Sequence, residues 1–448
     1  MAAWLLWPAG SVLSQSYTFT TIAGLPGASG SSDGTNSAAR FNFPAGIAVD
    51  RAGTLFVAEI LNHTIRKISM IGTNRVVSTV AGLAGDPGSA DGTNSDARFD
   101  HPNGIAVDAG GDLFVADHYN QTIRKISPAG TNWVVTALAG LAGNRNHNDG
   151  TNSDARFYSP TGIAVDAAER LYVTDTANFT IREIAPLGTN WVVSTPVGLA
   201  LNYGFLDGTN DQAEFDFPYG IAASPTGALY VADWGNHAIR QITRYGSDWV
   251  VTTIAGLSGL MGSADGTGAK AKFNFPNGIA VDNQETLYVA DQENHTIRRI
   301  IPPTKSDWLV STIGGMVLQS GSADGAGSDA RFNKPFSVAV DVAGNLYVTD
   351  YANHTIRKGV PPWGATPSLQ IALSGNQSVV SWPATATNFI LETASALAGS
   401  WTPITNGISI AADSFLLTNS SVLSAGFFRL RRQRRSRPCA KSSCYPEG

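Results

Sequence analysis

Short apolar and β-branched runs recur along most of the chain, separated by turn residues such as Gly, Asp and Asn. One such run, Gly-Ile-Ala-Val, begins at positions 46, 104, 162 and 278, and its variant Gly-Ile-Ala-Ala begins at position 220; successive copies of the five are spaced by 58 residues. A sixth copy, Ser-Val-Ala-Val, begins 59 residues later, at position 337. Runs of this length with turn residues at both ends are typical of strands. The pattern therefore predicts one small β unit, repeated six times.

Each unit contains four such runs. In the second unit the predicted strands are a (residues 104–108), b (113–117), c (122–126) and d (134–140), with tight turns from a to b and from b to c. Four short antiparallel strands per unit, repeated in series, are the pattern of a β-propeller. We therefore predict an all-β chain that forms a six-bladed β-propeller with four-stranded blades.

The ends of the repeat array indicate how the ring closes. The last copy stops after its strand c, at residues 355–358, whereas residues 17–24 form a spare strand of the d type. Pairing these two strands would cover two open sheet edges at once. We predict that the N-terminal strand completes the last blade.

The composition changes on both sides of the repeats. Residues 1–16 are apolar and end in small residues, which predicts a truncated signal segment, although a basic n-region is missing and a misassigned start is the alternative. After a propeller at 17–360, a Pro-rich stretch at 361–367 predicts a linker. Alternating runs at 368–432 predict a small β-sandwich, and 433–448, which hold both cysteines, predict a disordered basic tail.

Charge limits the classes of partner. Charged residues make up 15% of the chain and the net charge is −5, so no global field attracts nucleic acid or anionic lipid. The apolar run at the N-terminus is too short to span a membrane. We expect a monomer that is secreted, periplasmic or held at the cell surface, with no nucleic-acid partner and no membrane span.

The strings Gly-Ile-Ala-Val-Asp, Leu-Tyr-Val-Ala-Asp and Asn-His-Thr-Ile-Arg resemble the NHL repeat family of propellers, most cleanly between residues 287 and 298. The resemblance covers residues 17–360 and implies the propeller fold. Relatives with this repeat include RNA and protein binders, extracellular sensor domains and a lyase of the peptidyl-amidoglycolate type. Residues 368–432 resemble the C-terminal β modules of secreted bacterial proteins.

Chain direction places the d–a loops and the b–c turns on one face, called here the loop face. The b–c turns repeat an Asp, an Asn three residues later, and an Arg in strand c. The named copies are Asp117, Asp175, Asp233, Asp291, Asp350, Asn120, Asn294, Arg124 and Arg298. One interpretation is a ring of oxygen ligands for Ca²⁺ or sugar hydroxyls. The favoured interpretation is structural: Asp caps its own turn, Asn is left-handed, and Arg pairs with carboxylates between blades.

Four histidines, at 63, 237, 295 and 354, occupy one equivalent turn position. In the lyase relatives, histidines from different blades hold a channel metal, so the resemblance raises a metal site as one interpretation. Residues spread around the rim of a wide ring cannot converge on one ion, and Gln121 and Phe179 fill the same position in two blades. We therefore predict no metal and no cofactor, with a single axial Ca²⁺ or Zn²⁺ as the alternative.

Function has to break the symmetry that packing maintains, so the residues that depart from the repeat on the loop face are the candidate binding residues. They are Arg145, His147, Tyr203 and Phe205 in d–a loops, and His118, Tyr119, Trp234, Glu293 and Tyr351 in b–c turns. Ordinary loop variation is the alternative. We predict a non-catalytic extracellular scaffold that binds a glycan, peptide or protein. The alternative is a metal-dependent channel enzyme, a lyase or lactonase.

Overall fold

The computed structural model describes residues 16–303 and 307–362, together with the backbone of seven strands between residues 370 and 432. The chain divides into two compact units, Met1–Pro362 and Trp363–Gly448. The predicted signal segment except Ser16, most of the predicted linker and the predicted basic tail lie outside the described residues.

The first unit consists of six antiparallel sheets, and the prediction of a six-bladed propeller is confirmed. Strand a spans Pro44–Val49, Pro102–Val107, Pro160–Val165, Pro218–Ala223, Pro276–Val281 and Pro335–Val340. Strand b spans Leu55–Glu59, Leu113–Asp117, Leu171–Asp175, Leu229–Asp233, Leu287–Asp291 and Leu346–Asp350. Strand c spans Thr64–Ile71, Thr122–Ala129, Thr180–Leu187, Ala238–Tyr245, Thr296–Ile301 and Thr355–Val360. Strand d spans Asn74–Ala81, Asn132–Ala139, Asn190–Val197, Asp248–Gly256, Leu309–Gly314 and, in the last blade, Thr18–Ala23.

Each sheet has a fifth strand that the sequence pattern does not predict. It pairs with the outer edge of strand d and spans Gly34–Thr35, Gly92–Thr93, Gly150–Thr151, Gly208–Thr209, Gly266–Thr267 and Gly325–Ala326. A three-residue 3₁₀ helix follows each of these strands, at Asn36–Ala38, Asn94–Asp96, Asn152–Asp154, Asn210–Gln212, Gly268–Lys270 and Gly327–Asp329. Three b–c turns are also 3₁₀ helices, at Thr176–Asn178, Gln292–Asn294 and Tyr351–Asn353. The fifth strand covers part of an edge that would otherwise be open.

The N-terminal strand closes the ring as predicted. Thr18–Ala23 pairs antiparallel with Thr355–Val360, and its outer edge pairs with Gly325–Ala326. Phe19 on this strand is fully buried, and its ring meets the ring of Phe332 edge-on, with 5.0 Å between centroids. The first and last parts of the propeller sequence therefore share one sheet and one core.

Close approach of the inner strands explains the repeated glycine of strand a. A Cβ atom built on Gly46 would lie 2.3 Å from the carbonyl oxygen of Asn103 in the next blade, and one on Gly162 would lie 2.2 Å from that of Tyr219. Since no side chain fits at such distances, these strands a can approach their neighbours around the axis only if this position is glycine, whereas the sixth blade has Ser337 at the equivalent position.

Contacts between neighbouring blades form the core. Phe56 and Ala58 of the first blade pack with Leu113 and Val115 of the second. The repeated Trp at the start of strand d, such as Trp133, packs edge-on against an aromatic residue on strand b of the preceding blade, at 5.8 Å for the Phe56–Trp133 pair. The pairs Phe114–Trp191, Tyr172–Trp249 and Tyr230–Trp308 repeat this contact. Each such pair fixes one blade on the next.

A buried arginine of strand c makes the same four hydrogen bonds in every blade. In the second blade, Nη1 of Arg124 donates to Asp117 Oδ2 at 2.9 Å and to the carbonyl oxygen of Arg98 at 2.8 Å. Nη2 donates to Asp91 Oδ1 at 2.7 Å and to the carbonyl oxygen of Ala90 at 3.0 Å. We call this arrangement the guanidinium node. Its other arginines are Arg66, Arg182, Arg240, Arg298 and Arg357.

An aromatic ring completes each node. The guanidinium carbon of Arg124 lies 5.2 Å from the centroid of Phe99, a distance at which the cation and the ring face attract each other. The corresponding rings are Phe41, Phe157, Phe215, Phe273 and Phe332. Burial raises the pKa of Asp117 to about 6, although Arg124 and hydrogen bonds from Asn120 and the Asp100 amide oppose the rise. Burial likewise raises the pKa of Asp175, Asp233 and Asp350 to about 6.

Two details of the structural interpretation are wrong. The arginines do not pair between blades: Asp117 ends strand b of the blade that holds Arg124, and the strand after Asp91 pairs with strand d of that same blade. Asp91 follows strand d of the first blade in sequence, but it lies against the second blade, which holds Arg124. Nor does Asp117 cap its own turn, because its Oδ1 accepts the backbone N–H of Asp100, which lies 17 residues earlier.

The second unit contains two antiparallel sheets. The four-stranded sheet has the order Gln370–Ser374, Gln377–Pro383, Ser414–Asn419 and Ile408–Ala411. The three-stranded sheet has the order Thr402–Pro403, Phe389–Ala394 and Phe427–Arg432. Across the part of the chain that the structure describes, no helix has the length and apolar character needed to cross a membrane.

Removing one partner of a node should be costly. We expect Arg182→Met to lower the free energy of unfolding by about 3–5 kcal/mol, because Asp175 is then buried without its cation. Denaturant unfolding followed by tryptophan fluorescence measures the loss. The matched control is Arg51→Met at an exposed a–b turn, which should change stability by less than about 0.5 kcal/mol. A loss at Arg182 no larger than that of the control would contradict the role of the node.

Candidate ligand-binding face

The d–a loops and b–c turns lie together, as chain direction predicts. The backbone N–H of Gly143 in a d–a loop donates to the carbonyl oxygen of Asn120 in a b–c turn at 3.2 Å, and Gly85 makes the same bond to Asn62 at 3.3 Å. Nδ2 of Asn120 donates to the carbonyl oxygen of Gly88 at 2.6 Å and to Asp117 Oδ2 at 2.8 Å. The loop face is therefore one connected surface anchored to the nodes.

The prediction that the turn asparagine is left-handed is wrong. The residue after it is the left-handed one: His63, Gln121, Phe179, His237, His295 and His354 have φ between 53° and 61°. The side-chain amide of the asparagine instead donates hydrogen bonds to the d–a loop and to the aspartate of its own turn. A second left-handed series stands before the proline of strand a, at Phe43, His101, Ser159, Phe217, Phe275 and Lys334.

These two series are hydrogen-bonded to each other across blade boundaries. Nδ1 of His237 accepts the backbone N–H of Phe275 in the next blade at 3.1 Å. His63, His295 and His354 make the same contact with His101, Lys334 and Phe43. Gln121 makes it through Oε1, which accepts the backbone N–H of Ser159. Each of these histidines thus belongs to its own junction, and the four do not converge on one ion.

The interblade bond requires a neutral imidazole with an unprotonated Nδ1. Burial lowers the pKa of His237, His295 and His354. For His63, burial again lowers the pKa, and the neighbouring His101 adds to this effect while Asp100 opposes it. The folded state therefore disfavours protonation at all four positions.

Two predicted binding residues, Tyr203 and Trp234, belong to one continuous series of aromatic rings. Tyr203 lies 5.7 Å from Phe179, which lies 5.1 Å from Phe217, as measured between ring centroids. Phe217 lies 6.4 Å from Trp234, and Trp234 lies 4.1 Å from Phe275. The series crosses the third, fourth and fifth blades. Its link residues Phe179, Phe217 and Phe275 were not among the predicted binding residues.

Most of the other predicted binding residues make contacts outside this series, whereas Tyr351 is joined to Trp234 through the rings of Phe336 and Tyr219. His118 and Tyr119 are in ring contact with each other at 4.9 Å, and Tyr119 also contacts His101 at 4.2 Å. Arg145 and His147 are exposed, and Arg145 stacks on Tyr158 at 5.0 Å. Glu293 forms an ion pair with Lys334. The ring of Tyr351 contacts those of Phe43 and Phe336. Phe205 is exposed and lies two residues after Tyr203 in the same d–a loop.

Two aromatic rings also meet across the propeller axis. Tyr219 and Phe336 come from the fourth and sixth blades, which are not neighbours, and their ring centroids are 6.1 Å apart. Burial raises the pKa of Tyr219 to about 12, with smaller contributions from Tyr351 and Tyr119. Sequence reasoning missed both residues. The available signal was the variable position between the proline and the Gly or Ser of strand a, which holds Ala45, Asn103, Thr161, Tyr219, Asn277 and Phe336.

One group of described side chains brings three metal-type donor atoms within 4.8 Å of one another: His63, Asp100 and His101. Nδ1 of His101 lies 2.7 Å from Asp100 Oδ1, and Nδ1 of His63 lies 3.7 Å from the same oxygen. The rings of the two histidines meet edge-on, with 4.9 Å between centroids. Sequence reasoning singled out His63 but neither of its two partners.

Comparison with known proteins agrees with this fold. The sequence model described as "NHL repeat" matches residues 99–126, 157–184, 215–242, 273–300 and 332–358. Protein SUPPRESSOR OF QUENCHING 1, chloroplastic, of Arabidopsis thaliana is 27% identical over 324 residues, which cover 70% of this chain and 30% of that protein. NHL repeat-containing protein 2 of Homo sapiens is 28% identical over 351 residues, which cover 70% of this chain and 46% of that protein. The chain thus spans less than half the length of these curated relatives.

Two solved structures from Bacteroides share the fold. A protein of unknown function from Bacteroides thetaiotaomicron is 21% identical, with a TM-score of 0.59 and coverage of 77% of this chain and 75% of that one. An auxiliary nutrient binding protein from Bacteroides ovatus is 18% identical, with a TM-score of 0.56 and coverage of 78% and 77%. At these identities the likeness shows the fold alone.

The interblade histidines predict a pH effect on stability. A histidine whose pKa is lower in the folded chain contributes stability above about pH 6.5 and loses that contribution as the pH falls, because unfolding then takes up a proton. His237→Gln keeps an acceptor, as Gln121 does, and removes the titration. We therefore expect the variant to lose less stability than the wild type between pH 7.5 and 5.5 in denaturant unfolding.

The buried aspartates act in the opposite direction, because a pKa raised to about 6 gives stability that is lost as the pH rises through that value. They titrate in both proteins and cancel in the difference. A difference between wild type and variant that stays constant across this pH range would contradict the neutral-histidine assignment.

Proposed function

This chain is an NHL-repeat propeller, and on that premise we propose that it is a non-catalytic binding scaffold that holds a glycan, peptide or protein on its loop face. An extracellular location is part of the proposal: secreted, periplasmic or at the cell surface. It rests on the apolar segment at residues 1–16 and on the low content of charged residues.

The exposed aromatic residues of the loop face are the main support. Tyr203 is 69% exposed and Phe205 is 61% exposed, and both depart from the repeat. Neighbouring positions add further exposed apolar side chains, namely Leu199, Leu201, Leu206 and Phe217. Soluble proteins rarely expose contiguous apolar patches without an interaction partner. Aromatic rings with polar tips are suited to sugar rings and to peptide side chains.

The repeated polar residues, in contrast, are already used by the fold. Arg240 and Asp233 are fully buried and bonded to each other, and Asn236 bridges Asp233 to the d–a loop. A ligand therefore meets the variable side chains and not the repeated ones. This division supports a site built from departures from the repeat.

In the closing blade, the start of strand d and the end of strand c lie on the face opposite the loop face. Thr18, at the start of its strand d, pairs with Val360, at the end of its strand c. Beside them the hydroxyl of Tyr17 donates to the carbonyl oxygen of Gly344, which lies in an a–b turn on the opposite face. A ligand can approach the loop face without meeting these two strand ends.

The Bacteroides ovatus propeller is an auxiliary nutrient binding protein. That protein is an example of a binding protein with this fold, and the similarity between the two chains extends only to the fold. For the present chain, the identity of the ligand class rests on the chemistry of the loop face.

The rival function is a metal-dependent lyase or lactonase with its site on the axis. Such a site needs unlike polar side chains from several blades to converge there. Of the candidates beside the axis, Thr161 bonds to Thr174, and Asn277 bonds to Gln292. The rings of Tyr219 and Phe336, from the fourth and sixth blades, contact each other across the axis. This arrangement favours the binding scaffold.

The test starts from glycan and peptide arrays probed with the full chain. For any ligand found, we expect the double substitution Tyr203→Ala with Phe205→Ala to weaken binding by at least about tenfold, as loss of aromatic anchors does. Tyr245→Ala is the matched control: Tyr245 is 66% exposed but lies at the end of strand c, on the opposite face. Equal binding by all three proteins would contradict the proposed face.

A further inference from the structure

The boundary between the first and second blades differs from the other five. The two residues before the proline of strand a are Asn42-Phe43, Tyr158-Ser159, Asp216-Phe217, Asn274-Phe275 and Asn333-Lys334 at those five boundaries. At the remaining boundary they are Asp100 and His101. Because the interblade bond already brings His63 to this place, a second histidine and a carboxylate are added beside it.

The donor atoms have a spacing suited to a metal ion. A tetrahedral ion with ligands at about 2.1 Å needs donors about 3.4 Å apart. Asp100 Oδ1 lies 2.7 Å from His101 Nδ1 and 3.7 Å from His63 Nδ1, so the two distances bracket that value. Changes of about 0.7 Å in the first distance and about 0.3 Å in the second would bring both to that value.

The chemistry of the donors selects the class of ion. Two imidazoles with one carboxylate suit Zn²⁺ and related first-row divalent ions better than Ca²⁺ or Mg²⁺, which prefer oxygen ligands. The side chains of Asp100 and His101 are 30% and 26% exposed, so an ion can reach them from solvent. Tyr119 stacks on His101 at 4.2 Å and restricts the orientation of its ring.

We propose that His63, Asp100 and His101 bind a first-row divalent metal ion such as Zn²⁺ at the boundary of the first and second blades. The ion replaces the hydrogen bond between Nδ1 of His101 and Asp100; the proton of Nδ1 passes to solvent while Nε2 takes one up, so the bound imidazole is neutral. The ion also binds the lone pair of His63 Nδ1, so the hydrogen bond that the backbone N–H of His101 donates to this nitrogen is lost. Three protein ligands leave one position for water or for an atom of a bound molecule.

The metal site can be tested apart from the proposed binding function, because Tyr203 and Phe205, which carry the test of that function, lie in the d–a loop between the third and fourth blades, although the candidate binding residue Tyr119 contacts His101. At other boundaries the equivalent histidines, such as His237, face Phe275 or its counterparts and have no second imidazole. The chain therefore contains its own matched control for the site.

The test uses the full chain without an affinity tag, stripped of metal and titrated with Zn²⁺ by calorimetry. We expect about one equivalent to bind. The double substitution Asp100→Asn with His101→Phe reproduces the Asn-Phe pair found at positions 42–43 and 274–275, so it keeps a boundary that already exists in this fold. It should weaken Zn²⁺ binding at least tenfold, whereas His237→Phe should leave binding unchanged.

Co²⁺ substitution supplies a readout that does not depend on stability. Bound Co²⁺ should give visible absorption bands of a four-coordinate site in the wild type and in His237→Phe, and these bands should be missing from the double variant. Failure of the wild type to bind Zn²⁺ would overturn the proposal. So would undiminished binding by the double variant, which would place the ion elsewhere, or an equal loss in His237→Phe.

Discussion

In every blade a guanidinium group lies in the protein interior, and four acceptors from three separate segments surround it. The carboxylate at the end of strand b, the aspartate of the d–a loop and two backbone carbonyl groups all depend on the same arginine. A buried ion pair of this kind adds little over apolar packing, but it cannot lose one partner without leaving an isolated charge. The node therefore specifies one arrangement of turn, loop and strand, and it does so six times.

This constraint explains why the repeated residues recur together. The phenylalanine under the guanidinium, the aspartate of the loop and the asparagine of the turn are each bonded or stacked within one network. Outside that network, the d–a loops vary from an acidic turn at Asp86 to an aromatic one at Tyr203 without altering the node beside them. Such independence lets one face change while the fold stays fixed.

Periodicity was enough to predict the six blades and the closing strand, because 58-residue spacing and a missing strand d are visible in the sequence. The fifth strand was not predictable, since two residues such as Gly92–Thr93 give no periodic signal. Tyr219 and Phe336 were hidden because their contact crosses the axis between repeats 116 residues or more apart in sequence. Asp100 and His101 were visible as departures from the repeat, but their meeting with His63 depends on an interblade bond that only coordinates reveal.

The guanidinium nodes carry the fold, and we propose that the departures from the repeat on the loop face carry the function. Exchanging residues 199–206 for residues 83–90, the equivalent loop of equal length, tests it most directly because Asp207 and Arg240 remain in place. Thermal unfolding and array binding are then measured on the same preparation. We expect the exchanged chain to keep the cooperative melting transition of the wild type and to lose the ligands that the wild type binds. A chain that unfolds at a much lower temperature, or one that melts normally and binds the same ligands, would contradict it.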